Sequence, residues 1–291
     1  MEKYKEDNQI SPMDFLLLGM RNMPTLLIPL FVLSVTIYLV TVIGNILIVV
    51  VVSEQHLHSA IYTFLGTLSS LEPWYSSTIL PWLLASFLTG DRTISAHGCM
   101  AQFYFFSSFV ATECYLLGAM SGDWNLAICQ PLPYASLMVW KVCLQLVATS
   151  WLFGMLVSAT LTTLSSHMTF CGPKKIDCFF CDFTPLLELF CSHTSVVTLV
   201  SFMFFLSILF PFLFTLVSYV CIVGAILSIP SSVGQQKAFC TSSCHLIFVT
   251  VFYITLLFFY LMPKTALLRQ VNKMFFFYTI LTPLVIYSQG N

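Results

Sequence analysis

Apolar residues run in long stretches along this chain, and most charged residues gather between them. Seven stretches stand out: Leu26–Val52, Ser59–Thr89, Gly98–Ala127, Val142–His167, Ser195–Pro230, Ala238–Met262 and Leu267–Ser288. A helix needs about 20 predominantly apolar residues to cross the hydrocarbon core of a bilayer, so each stretch predicts a membrane span. The first, fourth, fifth and sixth contain no Asp, Glu, Lys or Arg. The second holds Glu72, the third Glu113 and Asp123, and the last, which is the weakest, Arg269 and Lys273 near its start. Backbone polar groups must be paired within the segment when lipid surrounds it, which favours helices. A β-barrel would show short alternating strands instead, and none stand out. The pattern predicts an all-α membrane protein, a bundle of seven transmembrane helices over residues 26–288. Residues 1–25 precede it and a short end, 289–291, follows.

Composition agrees with this. Charged residues make up 8% of the chain and hydrophobic residues 58%, against about 25% charge in a soluble domain; mean hydropathy is +0.91. Seven helices and short connections account for the 291 residues, so a second folded domain is not expected. A net charge of -1 argues against nucleic acid as a partner, and lipid is the expected surrounding. Met1–Arg21 is polar and mixed in charge, unlike a cleavable signal peptide, so the first span is expected to serve as its own insertion signal. There is no phosphate-cradling Gly-rich loop and no HExxH zinc motif, and His56 and His58 have no nearby carboxylate but Glu54. An enzyme is therefore not expected, nor a cofactor. A transporter is the alternative from another class. It would be favoured by inverted repeats or matched helix breaks, and seven spans without such symmetry count against it.

Charge and cysteine placement disagree about orientation. With the N-terminus outside, Lys3, Lys5, Arg21, Arg92, Lys174, Lys175, Lys264, Arg269 and Lys273 lie outside and only Lys141 and Lys237 inside, the reverse of the positive-inside rule. Cys171, Cys178, Cys181 and Cys191 crowd the connection between spans four and five, and Cys99 opens span three at the same end. Such a cluster suits disulfides in an oxidising compartment. The cysteines decide the expectation: N-terminus outside, in a multi-pass plasma-membrane protein.

Each of several spans carries its own short motif. Span one contains Gly44-Asn45-Ile46, and span two opens Leu57-His58-Ser59-Ala60-Ile61-Tyr62-Thr63-Phe64-Leu65. Span three ends Met120-Ser121-Gly122-Asp123-Trp124-Asn125 and leads into Ala127-Ile128-Cys129-Gln130-Pro131-Leu132; span six starts Lys237-Ala238-Phe239. In this order and spacing, from about Phe15 to Ser288, the chain resembles the vertebrate olfactory receptors, a branch of the rhodopsin-like G-protein-coupled receptors. The resemblance implies a receptor for small volatile ligands that signals through a stimulatory olfactory-type G protein to cAMP.

Departures from the family pattern bear on coupling. The family's span three ends Met-Ala-Tyr-Asp-Arg-Tyr, and its arginine is replaced here by Trp124. Tryptophan has a single donor, no charge and no bidentate fork, so Asp123 loses its neighbour and the coupling motif becomes Asp123, Trp124 and Asn125. Pro283 and Tyr287 are separated by three residues where the family has two, with no asparagine beside them, and the family's basic eighth helix is not expected after Ser288. These losses account for the scarcity of inner positive charge. No Asn-x-Ser/Thr exists in the chain, so N-glycosylation is not expected. A coupling-deficient receptor is the alternative within the family.

The resemblance also nominates sites. An apolar pocket with a few polar groups is expected between spans three, five and six, walled by Phe106, Ser107, Val110 and Ala111, by Phe205, and by Tyr253, Leu256 and Tyr260. A neutral, apolar ligand with one hydrogen-bonding group fits such a wall. The expected disulfides are Cys99–Cys181 and, second, Cys171–Cys191. Cys178 is left over, and its Cys-x-x-Cys spacing with Cys181 is better explained by the bridge than by a metal. Glu72 and Glu113 are ionisable groups within spans, which marks them as functional candidates. Either they share a polar, sodium-linked network with Asn45, or they are protonated carboxyls that simply hydrogen-bond.

Overall fold

The computed structural model describes residues 14–17, 27–54, 60–167, 175–176, 180–182, 186, 189, 194–228 and 232–261. The segment 267–288, with the Pro283–Tyr287 departure, lies outside them, as do Cys171, Cys178 and Cys191. The described elements are strand β1 (Asp14–Leu17), helices α1 (Leu27–Glu54) and α2 (Ala60–Thr89), strand β2 (Thr93–Ser95), helices α3 (Ala96–Cys129), α4 (Pro131–Leu137) and α5 (Trp140–Ser166), strand β3 (Lys175–Ile176), and helices α6 (Thr194–Leu227) and α7 (Ser232–Leu261). Four of these helices are long and apolar enough to cross a membrane: α1, α3, α5 and α6.

Helix ends follow local chemistry. Gly90 ends α2 with φ 72°, a left-handed conformation that glycine adopts without steric cost, and its N–H donates to the Ser86 carbonyl at 3.1 Å. Ser95 caps α3, its hydroxyl accepting from the Gly98 N–H at 3.1 Å. Pro131 opens α4 where its missing N–H would have had no helical partner.

α3 is the axis of the bundle. Its buried residues run without a break from Phe106 to Cys114. By contrast α1, α5 and α6 expose large apolar side chains such as Ile28, Leu152 and Phe210, as helices facing lipid do. Small residues let α3 and α5 come close: a Cβ on Gly154 would stand 2.8 Å from the Thr112 backbone nitrogen and 2.9 Å from the Ser108 carbonyl oxygen.

One end of the bundle is closed by a small sheet that the hydropathy pattern does not predict. β1 is its central strand, antiparallel to β2 with Phe15 opposite Ile94, and parallel to β3 with Leu17 opposite Ile176. Phe15, Leu17, Ile94 and Ile176 are all buried, so one face of this short sheet joins the core. The pairing puts β1 at the same end as β2 of the α2–α3 connection and β3 of the α5–α6 connection. Cys99 and Cys181 are bonded there with Cα atoms 5.4 Å apart.

Candidate functional site

The expected ligand wall is shared by α3, α6 and α7, and its α3 and α7 members meet in the core. On α3, Phe106, Ser107, Val110 and Ala111 are buried; on α7, Tyr253 and Leu256 are buried. Phe106, Val110, Tyr253 and Leu256 belong to one continuous apolar cluster. Phe205 on α6 is half-buried, and the side chain of Tyr260 lies outside the described residues. The Tyr253 hydroxyl donates to the Cys114 carbonyl at 3.0 Å, which ties α7 to α3, and its ring lies 5.1 Å from that of Phe212 on α6. Phe106 is enclosed by aromatic rings: Tyr75 of α2 at 5.1 Å and Phe180 at 5.0 Å. Ser107 donates to the Phe103 carbonyl at 2.7 Å. Both hydroxyls therefore spend their proton on backbone and keep acceptor lone pairs. A mostly apolar molecule bearing one donor is the chemistry that suits these groups.

Gln102 is a residue that sequence reasoning missed. Its amide donates to the Thr78 carbonyl on α2 at 3.0 Å, and its oxygen accepts from the Cys181 N–H at 3.0 Å. One buried side chain thus joins α2, α3 and the bridged connection, one turn from Phe106. Phe180 reaches Phe106 because its neighbour Cys181 is held both by the bridge and by Gln102. The signal in the sequence is an amide in an otherwise apolar helix stretch, three residues after Cys99.

The three intramembrane polar residues are buried but not all joined. Glu72 and Glu113 are 2% and 3% exposed and lie near enough to interact electrostatically. Asn45 instead donates within α1, to the Thr41 carbonyl at 2.9 Å. No hydrogen bond links Asn45 to either carboxyl among the described residues. Glu113 Oε1 and Asn45 Oδ1 are buried without a hydrogen-bond partner there. No group of three or more His, Cys, Asp or Glu side chains among the described residues could hold a metal ion.

At the opposite end of α3, Asp123 is buried and its Oδ1 accepts from the Tyr134 hydroxyl of α4 at 3.1 Å. Burial, and then the Asp123 charge, push the Tyr134 phenol up to about 12. Asn125 Oδ1 accepts from the Cys129 thiol at 3.0 Å. Trp124 turns the other way. Its indole stacks on the His245 ring of α7 at 6.4 Å and 24°. Tyr219 of α6 stacks on the same imidazole at 6.0 Å and its hydroxyl hydrogen-bonds His245 Nδ1. Trp124 also packs on a small apolar cluster of Tyr219, Ile222 and Ile226. The stack therefore joins α3, α6 and α7 through rings, without a charged partner for Asp123 among the described residues.

A family model described as "Olfactory receptor" matches residues 34–288. Olfactory receptor 11L1 of Homo sapiens is 44% identical over 284 residues, covering 96% of this chain and 88% of that receptor. Olfactory receptor 10C1 of Homo sapiens is 45% identical, covering 96% and 91%, and olfactory receptor 5AP2 of Mus musculus is 40% identical, covering 96% and 90%.

Proposed function

The chain belongs to the olfactory receptor family of rhodopsin-like G-protein-coupled receptors, seven-helix membrane receptors and not enzymes, and from that premise we propose that it binds small volatile odorants and signals through a stimulatory olfactory-type G protein to cAMP. The observation that carries the ligand half is the aromatic and apolar wall around Phe106 and Tyr253, with acceptor hydroxyls and no buried cation among its described members. Such a wall favours neutral, apolar odorants with one donor. Phe106, Ser107, Val110, Ala111, Phe205, Tyr253, Leu256 and Tyr260 are the proposed contacts. The N-terminus is proposed to face outward at the plasma membrane. In support, β1 shares its end of the bundle with the Cys99–Cys181 bridge, and a disulfide suits an oxidising compartment.

A second reading is favoured by one feature, the Trp124–His245–Tyr219 stack. It stands where the family pattern has an arginine and leaves that end of α3 without a bidentate cation. On this reading the receptor binds ligand and couples weakly. Surface labelling combined with a cAMP assay over an odorant panel, in cells carrying the olfactory G protein, separates the two. A dose-dependent rise that Phe106→Ala weakens supports signalling. Silence from a surface-exposed receptor, relieved by Trp124→Arg, supports the second reading. Silence of both forms at the surface overturns the proposed signalling.

A further inference from the structure

A groove of about 600 Å³ opens on the outer side of α3, α5 and α6, toward the Asp123 end of the bundle. None of its lining residues is among the proposed odorant contacts. Its floor is Gly118 and Gly122, one turn apart on α3, whose missing side chains give it depth. A Cβ on Gly122 would already stand 3.3 Å from the Phe214 ring. One wall is the Tyr115–Phe153 ring pair, with centroids 5.8 Å apart; the other is Phe210 and Phe214 of α6. Phe153, Phe210 and Phe214 are 53%, 71% and 49% exposed, on helices long and apolar enough to cross a membrane. The mouth of the groove therefore faces hydrocarbon rather than water, and bilayer molecules are its ready occupants. Its volume lies within the ~300–1,000 Å³ of small-molecule sites.

We propose that this groove binds a bilayer molecule of the sterol class: neutral, flat, mainly apolar, with a single hydroxyl that donates to Asp123. Three features select that chemistry. Ring walls on both sides suit a flat body better than a flexible chain. Asp123 lies eight residues from Tyr115, about 12 Å along the helix, and six residues from the end of α3, about 9 Å. A hydroxyl there sits toward the membrane surface while the body points to the midplane. Asp123 Oδ1 is taken by Tyr134, and Oδ2 is left as an acceptor with no partner among the described residues. The Ser150 hydroxyl farther along the groove donates to the Leu146 carbonyl at 2.8 Å. A carboxylate at this end repels phosphate headgroups and rewards a neutral donor, which an acyl chain lacks.

The test uses the full chain in nanodiscs of neutral phospholipid with a photoreactive cholesterol analogue, and labelled residues are located by mass spectrometry. Label is expected on the groove-lining parts of α3, α5 and α6 and is displaced by cholesterol. Gly122→Leu excludes about five ligand atoms, which at the efficiency of drug-sized ligands lowers affinity about tenfold. Thr149→Trp, an exposed position at the mouth, narrows the groove without touching its floor and is expected to act in the same direction. Cholesterol methyl ether, which cannot donate, is expected to compete at least about tenfold more weakly than cholesterol, since a hydrogen bond to a charged group is lost. Three results would each overturn the proposal: label spread evenly over every lipid-facing helix, label unchanged in both folded variants, or equal competition by the methyl ether. A phosphatidylcholine carrying the photoreactive group in its acyl chain is the second arm. Equal, groove-confined labelling by it would assign the site to acyl chains and defeat the sterol assignment.

Discussion

Replacing Gly154 by alanine adds one methyl group at the closest approach of α3 and α5. That methyl would lie 2.8 Å from the Thr112 nitrogen and 2.9 Å from the Ser108 oxygen, where ordinary contact begins at 3.4 Å, so the helices must part by about 0.6 Å. It would also run into Thr112 Oγ1. A gap of that size forfeits about a quarter to a half of the attraction of each neighbouring atom pair. Overpacking costs about 1–3 kcal/mol, and two backbone atoms that cannot rotate away put this site at the upper end. Alanine's better helix propensity offsets about 1 kcal/mol, which leaves a net loss of about 2 kcal/mol. The melting temperature should fall by about 4–8 °C. Cys114 and Cys143 are buried free thiols, so a thiol-reactive dye reports their exposure as purified protein is heated. Gly224→Ala is the control: nothing lies within 4 Å of its added methyl, and it should be neutral or stabilising. Thr112→Ala added to Gly154→Ala should not restore stability, because the backbone contacts remain. A Gly154→Ala protein as stable as the unaltered chain, or one fully rescued by Thr112→Ala, would refute close backbone packing as the reason for this glycine.

Three further outcomes are expected. Cys99→Ser opens a loop of 82 residues and should cost about 4.5 kcal/mol by loop entropy, read as loss of surface expression and of non-reducing gel mobility. Gln102→Leu leaves the Thr78 carbonyl and the Cys181 N–H without their partner and should cost about 2–4 kcal/mol. That loss is measurable in the same thermal assay; a change below about 0.5 kcal/mol, typical of sites without such features, would show that water replaces the amide. The Tyr134 phenol is raised to about 12 from an ordinary value near 10. Its contribution is thus present below pH 10 and is lost as pH rises from 10 through 12. Tyr134→Phe should flatten stability across that window, as followed by unfolding at stepped pH, and an unchanged slope would place the titration elsewhere.

Much of the architecture was legible along the chain because the bilayer is a severe solvent. Stretches such as 26–52 and 195–230 have no charge to lose, and their backbone groups can be paired only as helix. The pairing of Cys99 with Cys181 was likewise expected from a family resemblance carried by motif order, and the bridge is present. The short sheet was not expected, because strands of two to four residues carry too little alternation to rise above the surrounding apolar pattern. Helices apolar all round also conceal which face meets which neighbour. Hydropathy therefore does not announce that Trp124 turns toward His245 and Tyr219 while Asp123 turns toward Tyr134, or that Glu113 lies near Glu72 rather than joined to Asn45. Nor does it mark Gly154 apart from Gly224. Those distinctions depend on distances between helices remote in sequence, and only tertiary packing sets them.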